Sequence, residues 1–87
     1  MKVAVPESVL AAELSGEGVL LELQSGEYFA LDQVAMDMWK ALGKAGTVEG
    51  ARAALLAEYE VATETLASDL DAFVGTLAQS NLIVITP

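Results

Sequence analysis

The sequence predicts an α+β fold: a small antiparallel sheet followed by three helices. Three observations predict it. The first third of the 87 residues carries short apolar runs, VLAAEL, GVLLEL and EYFAL, punctuated by glycine-containing turns. The remainder switches to apolar residues at helical spacing, broken by glycines and capping residues. Strands come first and helices after, and this segregation is the mark of α+β rather than of an alternating α/β chain.

The strand candidates come first in chain order. VLAAEL at 9–14 is one strand, GVLLEL at 18–23 a second, and QSG at 24–26 a turn leading into EYFAL at 27–31. The loop length decides the register. A two-residue loop at Ser25–Gly26 pairs Leu23 with Tyr28 and Leu21 with Ala30. A three-residue loop with Gly26 left-handed pairs Leu21 with Phe29 and Val19 with Leu31, and sets Glu22 opposite Tyr28. The second register gathers Val19, Leu21, Leu23, Phe29 and Leu31 on one face, and uses Gly26 where a positive φ is needed. It is the register expected here, with Phe29 and Leu31 in the core and Tyr28 on the other face.

Three helices follow. Asp32 can cap the first, whose stripe is Val34, Ala35, Met38, Trp39 and Leu42, with Gly43 as terminator. Trp39 belongs to that apolar stripe and is assigned to the core. Thr47 can cap the second, with Val48, Ala51, Ala54, Leu55 and Tyr59 as its stripe and Glu49 well placed in the first turn. Thr63 can cap the third, whose apolar face is Leu66, Leu70, Phe73, Val74 and Leu77, with Asn81 as a left-handed terminator. The tail LIVI, 82–85, either pairs as a short strand or packs over the core. Together these make a winged-helix-like arrangement in one domain spanning residues 1–87, large enough for a single modest core but not for a deep enclosed active site.

Composition excludes much chemistry. The chain has no Cys and no His, which removes disulfides, thiolate or imidazole zinc sites, and Cys- or His-dependent catalysis within it. The serines lack a nucleophile-elbow context, and GTVEG at 46–50 is not a phosphate loop. Asp69 and Asp71, two apart on a helix, do not face each other, and no calcium-loop spacing is present. No catalytic residue, cofactor or metal site is therefore expected, and the chain is read as a binding module. The net charge is −9, from 13 carboxylates against Lys2, Lys40, Lys44 and Arg52. That field repels nucleic acid and attracts basic partners, which weighs against DNA binding by a winged-helix-like fold. Glu22, Glu27 and Asp71 are read as part of the general acidic surface. No apolar run is long enough to span a bilayer. MKVAVPESVL, broken by Pro6 and Glu7, is unlike a signal peptide, so a cytoplasmic location is expected.

The EYFAL run carries no Pro or Lys to blunt a sheet edge. Either a helix or the LIVI tail covers that edge, or a partner peptide adds a strand to it. Tyr28 either packs on the outer sheet face or lines the peptide's groove. Phe73 is either wholly core or the apolar floor of that groove, with Asp69 one turn away as solvated surface or charged rim.

GEYFALD at 26–32, VAMDMW at 34–39, ALLAEYEV at 54–61, DLDAF at 69–73 and NLI at 81–83, in this order and spacing, resemble the PqqD-like family. Its members, also called RiPP recognition elements, are the leader-peptide-binding domains of ribosomal peptide natural product pathways. The resemblance covers about residues 9–83. Asp32 stands where Asn is commoner and Asn81 where Gly is usual, and each can do the same capping work. The resemblance implies a leader peptide bound as an extra strand beside Glu27, Tyr28, Phe29, Ala30 and Leu31. It draws the helix side of the groove from Leu66, Asp69, Leu70, Phe73 and Val74. It implies a non-catalytic recognition protein that presents a precursor to a separate processing enzyme. Length and acidity fit the lasso-peptide branch, in which that enzyme is a cysteine protease. The alternatives are a peptide chaperone for a radical enzyme in pyrroloquinoline quinone synthesis and, in a different class, a winged-helix nucleic-acid binder. A monomer is expected, with an edge-paired dimer as the other outcome.

Overall fold

A computed structural model describes residues Met1–Pro87. The elements run β1 (Lys2–Ala4), β2 (Val9–Leu14), β3 (Glu17–Glu22), β4 (Tyr28–Leu31), α1 (Gln33–Ala45), α2 (Val48–Glu58), α3 (Thr63–Gln79) and β5 (Val84–Thr86). An antiparallel sheet, β2-β3-β4, precedes the three helices, so the α+β architecture is as expected. A second, two-stranded sheet joins β1 to β5. β1 has no sequence signature beyond a three-residue run, and its pairing arises because the tail returns past the core to meet it. Leu82 and Ile83 are buried, and Val3 lies opposite Ile85. Val3 N–H donates to the Gly46 carbonyl at 2.9 Å, and Val48 N–H to the Met1 carbonyl at 3.0 Å, which ties β1 to the α1–α2 junction.

β2 and β3 are joined by a two-residue turn in which Ser15 (φ 54°) and Gly16 (φ 83°) are both left-handed, the geometry that matches strand twist. The β3–β4 loop differs from expectation. It holds four residues, 23–26, with Gly26 at φ 76° donating its N–H to the Glu22 carbonyl at 2.8 Å. Leu20 consequently faces Phe29, Leu21 faces Tyr28, Val19 faces Ala30 and Gly18 faces Leu31. Phe29 and Leu31 point inward as expected. On β3, however, the one-residue slip reverses the faces: Leu20 is fully buried, whereas Val19 and Leu23 are exposed. The expected inward set Val19, Leu21 and Leu23 fails because the loop is one residue longer than expected, which shifts the pairing by one and turns those side chains to the outer face.

Gly18 shows why the observed register packs. It lies on the inward face of β3 beneath α1, where an added Cβ would collide with Met36 Sδ and stand 3.0 Å from the Ala12 carbonyl. Met36 occupies the space that a side chain at 18 would take. α1 therefore buries Met36, Met38 and Leu42 and leaves Val34 exposed, which replaces the expected Val34 with Met36. Trp39 is partly buried against the core.

The caps follow local chemistry. Asp32 accepts from Ala35 N–H at 2.8 Å, and Thr47 from Gly50 N–H at 3.0 Å. α1 runs past Gly43 and ends at Gly46 (φ 73°), whose N–H reaches the Leu42 carbonyl. α3 starts after Ala62 with no side-chain cap, because Thr63 is its first helical residue and not the residue before it. Asn81 (φ 60°) ends α3 as expected. The Asn81 and Leu82 N–H groups bond back to the Ala78 and Leu77 carbonyls, the pattern of a Schellman cap. α2 buries Val48, Ala51 and Leu55 with Ala54 exposed, and α3 buries Leu66, Leu70, Val74 and Leu77.

Candidate functional site

β4 is an edge strand. β3 covers one side of it, and no strand of the chain pairs with the other, since the tail pairs with β1 instead. The hydrogen-bond phase of the hairpin identifies which groups are left free. Glu22 N–H donates to the Glu27 carbonyl at 2.9 Å, so residues 22 and 27 form a hydrogen-bonded pair. In an antiparallel ladder such pairs alternate, which directs Phe29 and Leu31 toward β3 and turns the N–H and C=O of Tyr28 and Ala30 outward. The expected edge is thus present, and it offers the backbone groups of two residues.

The side chains divide by face. Tyr28, 73% exposed, and Ala30 stand on the outer sheet face with Val19 and Leu21. Leu10 and Leu14, the latter 81% exposed, share that face across β2. On the inner face Leu31 is buried and Phe29 is partly buried against the core. Among the α3 residues singled out, Leu66, Leu70 and Val74 belong to the core. Phe73 is half-buried and packs against the core, and Asp69, one turn earlier on the same helical face, is exposed. Of the expected helix-side set, Phe73 and Asp69 alone present appreciable surface to a ligand. The buried three support them from beneath.

Where β4 begins, a polar cleft of about 280 Å³ separates the 23–26 loop from the C-terminal end of α3. It is lined by Glu22, Gln24, Glu27, Gln79 and Asn81, among others, with no apolar residue. Glu22 is not the surface carboxylate that composition suggested. It is 6% exposed, the one charged residue buried with the core. One carboxylate oxygen accepts from Ser8 Oγ at 2.9 Å, the other from Gln24 N–H at 2.6 Å. Only the true loop length, which turns residue 22 inward, would have exposed this role in the sequence.

Elsewhere the ionisable groups serve the fold. Tyr59 donates its hydroxyl proton to Asp37, and that bond, with burial and the negative charge beside it, pushes the phenol up to about 12. The N-terminal ammonium lies 2.6 Å from Glu49 Oε1 and holds that carboxyl below its usual range. Lys40 pairs with Glu13 at 2.6 Å, bracing α1 against β2. No group of three or more acidic side chains is gathered to hold a metal ion. No helix is long and apolar enough to cross a membrane.

The chain resembles solved proteins over its whole length. "TbiB1 in Complex with the TbiA(beta) Leader Peptide" is 36% identical, with a TM-score of 0.87 over 100% of this chain and 99% of that one. "Lasso peptide synthetase B1 complexed with the leader peptide" shares the fold, with a TM-score of 0.84 at 24% identity, covering 98% of this chain and 100% of that one. None of the curated proteins matches. The family described as Coenzyme PQQ synthesis protein D (PqqD) matches residues 17–83, a span that holds β3, the free edge of β4 and all three helices. With most of its length inside that match, and a full-length relative at 36% identity, the chain belongs to the PqqD-like family, the RiPP recognition elements.

Proposed function

We propose that this chain is a non-catalytic recognition protein. It captures the leader segment of a ribosomally made precursor as an added strand on β4 and presents it to a separate processing enzyme, a lasso-peptide leader protease. The observation that carries the reading is the unpaired edge at Tyr28 and Ala30, in a chain similar end to end to a protein solved with a leader peptide. The outward N–H and C=O groups supply backbone bonds worth about 1 kcal/mol each. Alternate side chains of the leader then lie against Phe73, with Asp69 at the rim and Leu66, Leu70 and Val74 as the buried support. Glu27 and Leu31 bound the strand. Binding orders an otherwise disordered leader and raises the effective concentration of its core segment beside the partner enzyme. The protein contributes no chemistry of its own and acts as a monomer in the cytoplasm.

The test is a titration of the ¹⁵N-labelled protein with two synthetic leaders: the TbiA(beta) leader and the leader from the precursor gene beside this chain's own. Strand addition predicts saturable binding, with the largest amide shifts at Tyr28 and Ala30 and new protection of both from exchange. Binding that leaves those two amides unmoved, or no binding of either leader, refutes it.

A further inference from the structure

We propose that Glu22 is the positioning residue of the β4 edge: its buried carboxylate locks the 23–26 loop and so fixes the line in which Tyr28 and Ala30 offer their outward backbone groups. This rests on the reading that β4 receives a leader strand.

The loop has no apolar anchor. Leu23, Gln24, Ser25 and Gly26 are all exposed. Apart from Glu27 N–H donating to Ser25 Oγ at 3.2 Å, what holds it is a set of hydrogen bonds converging on residue 22. The side chain accepts from Gln24 N–H and from Ser8 Oγ, the main-chain N–H donates to Glu27, and the main-chain carbonyl accepts from Gly26. Leu23 N–H donates to the Ser8 carbonyl at 2.8 Å, so the Ser8 end of β2 is drawn into the same knot. β4 is four residues long with a neighbour on one side only, and Glu27 alone separates its first residue from this loop.

A buried carboxylate with no cation beside it is a costly choice for a sheet interior. The chain's ion pairs lie elsewhere, at Met1–Glu49 and Lys40–Glu13. An aliphatic side chain would fill the same volume without that desolvation cost, but could not accept from the loop amide and the Ser8 hydroxyl together. The carboxylate therefore ties the start of β2, the loop and the start of β4 into one unit. The same unit forms one wall of the polar cleft facing the end of α3.

The experiment compares Glu22→Leu, Glu22→Gln and Ser8→Ala with the unaltered chain, using the TbiA(beta) leader as probe. It reads leader affinity, melting temperature and amide exchange at Gln24 and Gly26. Glu22→Leu keeps the volume and removes both side-chain bonds. Its expected result is a tenfold or greater loss of affinity, with faster exchange at both amides in a folded protein. Glu22→Gln keeps an acceptor for Gln24 N–H and a donor for Ser8 Oγ, and should restore affinity to within threefold. Ser8→Ala, which leaves the core untouched, should weaken binding about threefold and decides the matter if Glu22→Leu does not fold. Affinity within twofold of the unaltered chain in both Glu22→Leu and Ser8→Ala, or a Gln variant as impaired as the Leu variant, overturns the proposal. The exchange readings need no leader. If the unaltered chain binds no leader the reading of β4 fails, whereas unchanged exchange in folded Glu22→Leu defeats the positioning role by itself.

Discussion

Ala30 is the residue at which strand addition is most sharply exposed to test. Its N–H points away from β3, so proline there removes a donor from the free edge without breaking a rung of the ladder. Phe29 before it is already extended, the conformation proline imposes on its predecessor. Ala30→Pro should lower leader affinity about tenfold, roughly 1.4 kcal/mol, with the melting temperature nearly unchanged; calorimetric titration beside a thermal melt checks both. Tyr59 carries a different prediction. Its phenol titrates higher folded than the ordinary 10, at about 12. Because the folded value is raised, the stabilisation is fully present below pH 10 and is lost as pH rises toward 12. Thermal melts between those values should fall more steeply for the unaltered chain than for Tyr59→Phe, which gives up the Asp37 bond at every pH.

Among the elements, the meeting of β3 and α1 determines the register. Gly18 and Met36 share one space, so a Cβ at residue 18 would force the buried Met36 side chain to move. Gly18→Ala should destabilise the fold by about 1–3 kcal/mol through overpacking, read as a lower urea midpoint with an unchanged slope. Met36→Ala in the same chain should recover part of that loss by clearing the space, and a double-mutant cycle measures the coupling. The three strands of the β2-β3-β4 sheet, the Asp32 and Thr47 caps and the Asn81 terminator were legible in the sequence, because each depends on neighbours within a few residues. The four-residue loop was not. Gly26 satisfies a left-handed position in either a three- or a four-residue connection, and alternation along GVLLEL, apolar on both faces, does not choose between them. The choice falls to Glu22 and Gly18. One has its hydrogen-bond partners, and the other its room, only in the observed register.

For the molecule as a whole, charge and shape act on the same partner. All four side-chain cations lie on β1, α1 or α2, and none lies on the three-stranded sheet or on α3. A leader approaching β4 therefore meets a field set by carboxylates, under a net charge of −9. A basic leader should bind more weakly as salt rises, by roughly severalfold between 50 and 500 mM as the Debye length shrinks below ~5 Å. The loss should sit mainly in the association rate, and stopped-flow mixing across a salt series checks it. A flat series assigns the affinity to backbone bonds and apolar contacts alone.

By itself the sequence determined the order of strands and helices, most caps, the absence of Cys and His chemistry, and the unprotected edge in EYFAL, since these follow from composition and short-range spacing. Tertiary structure decided what depends on contacts distant in the chain. It paired the tail with β1, which leaves β4 uncovered. It buried Leu66, Leu70 and Val74, so Phe73 and Asp69 remain as the α3 surface. It also turned Glu22 inward. A one-residue difference in loop length reverses every side chain of a strand, and only the packing of the whole molecule selects between two such registers.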